Sequence, residues 1–161
     1  AFAHCAAACN DRLVIFGEGP ERTNLQRRIV DLRLEQRVVL AGPTASPRTS
    51  MQAVDLFVLS SRFEGFPNAL LEAMSCGVPV VSFDCPYGPA DIVRHEVDGL
   101  LVPSEDVDAL AAAMGRMISD EPFRKRCGER AADVVTRFSL ADVMKQWDAV
   151  IAAAVHSNGA P

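Results

Sequence analysis

The sequence predicts an α/β fold, an open, doubly wound parallel sheet followed by C-terminal helices. As far as residue 104, short continuous apolar runs alternate with longer segments of helical period; beyond it only helical patterns remain. Apolar runs that are continuous belong to strands covered by helices on both faces. Strand–helix alternation is the connection that parallel neighbours need.

Residues 1–9 are small and apolar, read as helix from the first residue, and lack the basic leader of a secretion signal. With no initial methionine, they suggest a piece excised from a longer protein. Strands are expected at 13–16, 38–40, 56–59, 78–82 and 100–102, with helices between them at about 21–33, 47–53, 68–76 and 89–94. Ser104, with Glu105, Asp106 and Asp108 after it, opens the helical part, acids favouring the positive end of a helix. Val107, Leu110, Ala111, Met114, Met117 and Ile118 then recur at helical spacing. A second helix follows Asp120–Pro122. A third starts at Ser139 with Asp142 three residues on, a capping-box variant. Its Leu140, Val143, Met144, Trp147, Val150 and Ile151 form one apolar stripe, in which Trp147 reads as a packing residue. The tail from His156 to Pro161 is expected to fray.

A chain of 161 residues without linkers, repeats or low-complexity segments is read as one domain, 1–161. Its net charge of −5 argues against a nucleic-acid partner, which needs a basic face. No apolar run approaches the ~20 residues of a membrane span, and no membrane contact is evident. Cys5, Cys9, Cys76, Cys85 and Cys127 lie in apolar or small-residue surroundings without metal or redox spacing, although Cys5 and Cys9 would share a helix face. Reduced, buried thiols are expected, and hence a cytoplasmic setting. His4, His95 and His156 are far apart and lack ligand partners, so no metal is expected.

In open parallel sheets, ligands bind beyond the carboxyl ends of the strands, and three unusual segments fall there. Gly17-Glu18-Gly19-Pro20 follows the first strand; its glycines leave backbone uncovered for a ligand, or simply make a tight strand–helix turn. The second segment runs from Ser60 to Asn68, with Pro67 and Asn68 marking a helix start whose free N–H groups suit an anion. On that helix Ala69, Leu70, Ala73 and Met74 share one face, while Asn68, Glu72 and Ser75 lie opposite. Glu72 can therefore accept both hydroxyls of a ribose, and Glu64 can reach another part of the same ligand. The competing reading makes Glu64 a helix cap and Glu72 a solvated side chain. The third segment, 83–91, holds Asp84 and Asp91, which could orient sugar hydroxyls or satisfy turn backbone.

The run Ser61-Arg62-Phe63-Glu64-Gly65-Phe66-Pro67-Asn68-Ala69-Leu70-Leu71-Glu72-Ala73-Met74-Ser75-Cys76-Gly77-Val78-Pro79-Val80-Val81 resembles the signature of glycosyltransferase family 4, also called glycosyl transferases group 1. That signature has two glutamates separated by seven residues and ends in a Gly-x-Pro-Val-Val strand. Residues 14–20 and 98–103 fit its flanks, so the resemblance covers about 10–150. It implies the Rossmann-like C-terminal, donor-binding domain of a GT-B enzyme, with the N-terminal acceptor domain absent from this chain. The resemblance further implies a retaining, metal-independent transfer of a hexose or N-acetylhexosamine from a nucleotide-sugar donor. The loop Asp84-Cys85-Pro86-Tyr87-Gly88-Pro89 is similar to members that use UDP-sugars in bacterial surface polysaccharide synthesis, which suggests a glycan or lipid-linked acceptor.

By the same resemblance Glu72 would hold the ribose. Glu64, the catalytic candidate, would hold hydroxyls of the transferred sugar. Gly65 and the backbone of Phe66, Pro67, Asn68 and Ala69, running into Leu70, would meet the sugar and pyrophosphate. Gly17, Gly19 and Gly42 would flank the nucleotide. No resident cofactor is implied. The family's basic pair for the pyrophosphate precedes the first helix and has no counterpart here, and Arg62 is not read as its replacement. The fragment alone is expected to be inactive. The rival readings are a GT-B sugar-nucleotide epimerase and a non-catalytic nucleotide-binding module. A membrane-peripheral seat at the inner face would belong to the missing half.

Overall fold

A computed structural model describes residues 1–6 and 10–157, so Cys9 and the end of the tail lie outside the described residues. The chain begins with α1 (Phe2–Ala6), β1 (Leu13–Phe16), α2 (Arg22–Asp31), β2 (Val38–Gly42) and α3 (Pro47–Gln52). Then follow β3 (Phe57–Leu59), α4 (Asn68–Ser75), β4 (Val80–Asp84), α5 (Pro89–Ile92) and β5 (Gly99–Pro103). The helical end comprises α6 (Val107–Ser119), α7 (Glu121–Ala131), α8 (Val134–Arg137) and α9 (Leu140–Ser157). All strands pair in parallel with flanking helices, the α/β arrangement expected. Their hydrogen bonds fall into two sheets, β1–β2 and β3–β4–β5. In the first, Leu13 lies opposite Val38; in the second, Phe57, Val80 and Gly99 lie level across the three strands.

The middle strand of the larger sheet explains its continuous apolar run. Val80, Val81, Ser82 and Phe83 are all buried, because side chains of alternate residues enter cores on opposite faces. Val81 and Phe83 pack with Leu100, Val102, Leu110, Met114, Met117 and Phe123. Val80 packs with Leu70, Met74, Ile92 and Val134 on the other face. The smaller sheet is different. Val14, Phe16 and Val39 are each more than a third exposed, since α2 packs on β2 while the rest of that sheet lacks comparable cover.

Local chemistry sets the helix ends. Asp106, two residues later than Ser104, caps α6 by accepting the Ala109 N–H at 2.8 Å, and Ser104–Glu105 form a turn instead. Asp120 caps α7 through Phe123 N–H at 2.9 Å, and Ser139 and Asp142 bond reciprocally at the start of α9. At the end of α4, Gly77 (φ +75°) makes the left-handed turn, with its N–H bonded to the Met74 carbonyl and that of Val78 to Ala73.

One reading needs correction. The stripe on α9 is not core: Leu140, Met144, Trp147, Val150 and Ile151 are all exposed, Trp147 by 58%. Amphipathic period identifies a face that would bury well, but not whether a partner is present. No helix among the described residues is long and apolar enough to cross a membrane.

Candidate functional site

The carboxyl ends of β3 and β4 carry the two polar loops predicted to matter. The loop after β3 turns into α4 at Pro67, which is buried, and Asn68 N–H bonds the Phe66 carbonyl at 2.9 Å. The cap position belongs to Pro67, which has no side-chain acceptor, so Glu64 does not cap this helix. The Leu70 N–H reaches the Pro67 carbonyl at 3.0 Å, whereas Ala69 N–H has no partner among the described residues. An unpaired N–H at the start of an eight-residue helix is an acceptor-seeking group in the positive field of the helix end.

Around this helix start the sequence-predicted residues separate into groups. Leu70, Ala73 and Met74 are fully buried, while Asn68 and Glu72 are exposed, as the helical wheel requires. The Leu70 side chain belongs to the core, and its N–H is already bonded. Gly65 and Phe66 are exposed and Ala69 is half-buried. The carboxylates of Glu64 and Glu72 make neither an ion pair nor a hydrogen bond within the described chain. Glu64 is half-buried all the same, and its charge is felt by its neighbour. Burial pushes the Cys85 thiol up, with Glu64 and then Asp84 adding to the effect. That thiol places the β4–α5 loop alongside Glu64.

Two further contacts join these loops, and the sequence reading missed both. A Cβ built on Gly88 (φ +113°) would lie 2.4 Å from Pro67 Cδ, so only glycine lets the second loop seat against the first. Phe63 and Tyr87 meet edge to face with centroids 5.9 Å apart, both largely exposed. The available signal was that both loops leave the same ends of adjacent parallel strands. Asp84 and Asp91 are exposed on this rim. Arg62 turns away, its Nε bonding Glu105 at 3.0 Å, and so is engaged by the β5–α6 loop.

The glycine turns sit on the other sheet. Gly17 (φ +120°) donates its N–H to the carbonyl of Gly42 (φ +76°) at 2.8 Å, bringing the ends of β1 and β2 together. Gly17 and Gly19 are exposed, and nothing lies within 4 Å of a Cβ added to either. Arg22 braces the turn through Glu18 and the Leu40 carbonyl. These glycines are not strand-paired to the glutamate loops; α3, which follows β2 in the chain, packs against α4.

The model of the family described as glycosyl transferases group 1 matches residues 1–134. The chain belongs to this family. Among curated relatives, it is 43% identical over 138 residues to the exopolysaccharide phosphotransferase SCO2592 of Streptomyces coelicolor. That match covers 85% of this chain but 15% of the relative. A Staphylococcus aureus TarM variant, solved in complex with fondaparinux, alpha-GlcNAc-glycerol and UDP, superposes with a TM-score of 0.85 at 25% identity. It covers 90% of this chain and 30% of that one. The apo lipopolysaccharide outer core galactosyltransferase WaaB gives 0.83 at 30% identity, over 95% of this chain and 44% of that one. The group 1 chain thus spans less than half the length of each of these relatives.

Proposed function

We propose that the chain is the donor-binding domain of a retaining, metal-independent glycosyltransferase, which passes a hexose or N-acetylhexosamine from a UDP-sugar to an acceptor hydroxyl. One observation carries this reading. Two glutamates without partners among the described residues, Glu64 and Glu72, bracket a helix start that presents the free Ala69 N–H. A carboxylate accepts paired hydroxyls well, and a helix N-terminus favours a phosphate. Glu72 takes the ribose, Glu64 the hydroxyls of the sugar, and the Gly65–Ala69 backbone the diphosphate. The glycine turns at Gly17, Gly19 and Gly42 flank the nucleotide. The protein's task in such a transfer is to hold the donor still and stabilise the departing diphosphate.

UDP is the favoured nucleotide because the TarM variant that the chain superposes on holds UDP. An acceptor in surface-glycan synthesis is favoured by the exopolysaccharide and lipopolysaccharide names among the relatives. The site itself is open to solvent, with Gly65, Phe66, Asn68 and Glu72 exposed. Cavities of about 380 and 570 Å³ lie elsewhere, the first lined by His4, Cys5 and Ser119, the second by Gln52, Arg124 and Ala132. An open site fits a partner half in cis that supplies the acceptor and a second wall, and the exposed stripe of α9 offers that half an apolar contact. The compartment we assign is the cytoplasm.

The name of the Streptomyces relative favours a second reading, transfer of a sugar together with its phosphate. Only a small share of that relative is matched here, so the part responsible for its name can lie outside the match. Phosphate in the product of the full-length protein would support this second reading, and an isomerised donor without any acceptor would support an epimerase.

The test is calorimetric titration with UDP, GDP and ADP, repeated on Glu72→Ala. The expected result is weak binding with UDP preferred, reduced about 10- to 100-fold in the variant, as loss of charge-assisted bonds to two hydroxyls implies. Equal affinity of Glu72→Ala and wild type would sink the assignment, and a non-catalytic module would bind without any dependence on Glu64.

A further inference from the structure

Behind the donor loop lies a buried charge network on the far side of α4. Asp98, in the turn before β5, is fully buried and charged side chains surround it. It accepts the Arg94 backbone N–H at 2.7 Å, Arg94 Nε at 2.6 Å and Arg137 Nη1 at 3.1 Å. Arg94 continues to Asp133 Oδ2 at 3.0 Å and to the Arg130 carbonyl at 3.2 Å. Arg137 also donates to the Ile92 carbonyl at the end of α5. The corner between α7 and α8 is thereby clamped to the α5–β5 turn at both of its ends.

The clamp fixes the residue that follows it. Phe138 comes directly after Arg137, whose guanidinium carbon lies 5.4 Å from the centre of its ring. That ring also packs on the core cluster beneath α4 and meets Phe66, with centroids 6.2 Å apart and planes inclined at 61°. Phe66 supplies the carbonyl that Asn68 N–H bonds, the turn that starts α4. A run of contacts therefore leads from a buried acid through one arginine and two aromatic rings to the backbone beside the free Ala69 N–H.

We propose that Phe138, held by the Asp98–Arg137 network, is a positioning residue for the donor loop. Its ring props Phe66, and so fixes the turn that presents the N-terminus of α4 to the donor diphosphate. Phe66 is half-exposed, and Phe138 is the aromatic ring it meets. Small displacements of a positioned group cost large factors in binding and rate, so a residue that never touches the donor can govern its affinity. The proposal rests on the donor-site reading above for its functional half, and on geometry alone for its structural half.

Hydrogen exchange and UDP titration on the whole chain test the two halves separately. The variants are Phe138→Ala, Phe138→Tyr and, as a stability control in the other core, Val102→Ala. Expected is faster exchange over residues 64–71 in Phe138→Ala and a UDP affinity lower by roughly five- to tenfold. Phe138→Tyr, which keeps the ring, should restore both, and Val102→Ala should change neither even where it lowers the melting temperature. Unchanged exchange over 64–71 in Phe138→Ala overturns the proposal whatever the nucleotide result. Faster exchange with unaltered UDP affinity overturns its functional half, provided that Glu72→Ala does lose affinity. If Glu72→Ala binds UDP like wild type, the donor-site reading has failed, and the exchange data alone then decide whether Phe138 positions the loop.

Discussion

Removing the carboxylate of Asp98 tests how much of the fold depends on the α5–β5 corner. Asp98→Ala strips three accepted hydrogen bonds from a fully buried position and leaves two guanidinium groups short of their counter-ion. Breaking a buried pair by deleting one partner costs about 3–5 kcal/mol. The lower end applies here, because the arginine side chains keep 39% and 25% of their exposure and each retains another acceptor. A loss of about 3 kcal/mol follows, a large part of the ~5–15 kcal/mol that holds a typical domain. At ~2–4 °C per kcal/mol for a domain of this size, the melting temperature should fall by about 6–12 °C. Asp98→Asn, which keeps the shape and part of the acceptor capacity, should lose about half as much. Thermal melts and urea titrations of the three proteins are the assay. An Asp98→Ala protein within about 1 kcal/mol of wild type would show that the arginines re-pair with solvent at no cost, and the clamp would lose its meaning.

The two loops of the site can be tested through the residues that join them. Gly88→Ala places a methyl carbon against Pro67 and forces alanine to φ +113°, so stability should fall by roughly 2–4 kcal/mol and UDP affinity with it, read by melting and calorimetry. Wild-type binding in a Gly88→Ala protein would separate the β4–α5 loop from the site. Alkylation with iodoacetamide followed by peptide mapping should modify half-buried Cys76 well before Cys85 and Cys127, which are buried and whose thiols are both pushed up chiefly by burial. Glu64→Gln should speed alkylation of Cys85, since it removes the neighbouring charge that helps keep the thiol protonated; an unchanged rate would mean that the two are not neighbours.

Much of the architecture was legible because it rests on short-range patterns. The strand at Val80–Phe83 is buried on both faces and reads as a continuous apolar run, and the wheel of α4 sorted Met74 from Glu72 correctly. The run that carries the proposed site was legible through spacing, which places both glutamates near one helix start. What escaped the reading depends on contacts between distant segments. Four residues of α8 are too few to show a period, yet they carry Arg137 to a buried acid 39 positions away. Pattern also misjudged α9 and the smaller sheet, where apolar residues stand exposed, because hydrophobicity records what a face would gain by burial and not what lies against it. The seat of Gly88 on Pro67 is of the same kind: a glycine that reads as loop punctuation is needed for close approach.

The charges around the helix start make a last prediction, on the ionic-strength dependence of binding. A diphosphate arriving at α4 meets the Ala69 N–H and the positive end of a short helix, but also the unpaired carboxylates of Glu64 and Glu72 and the exposed Asp84 and Asp91. The fields of Glu64 and Asp84 both reach the Cys85 thiol, so this rim is electrically negative beside the proposed site. The guanidinium of Arg62, on the same loop, is paired with Glu105. UDP should therefore bind this chain little better than uridine. Raising the salt from about 50 to 500 mM shortens the screening length from ~14 Å to ~4 Å and weakens repulsion as much as attraction. The affinity for UDP should hold constant or rise across that range. A site that closed its phosphates with lysine or arginine would lose affinity steeply instead, as charge-assisted contacts are screened. A tenfold weakening of UDP binding by this chain over that range would therefore reveal a cation at the helix start, and would overturn the conclusion that the positive charge for the diphosphate must come from elsewhere in the protein.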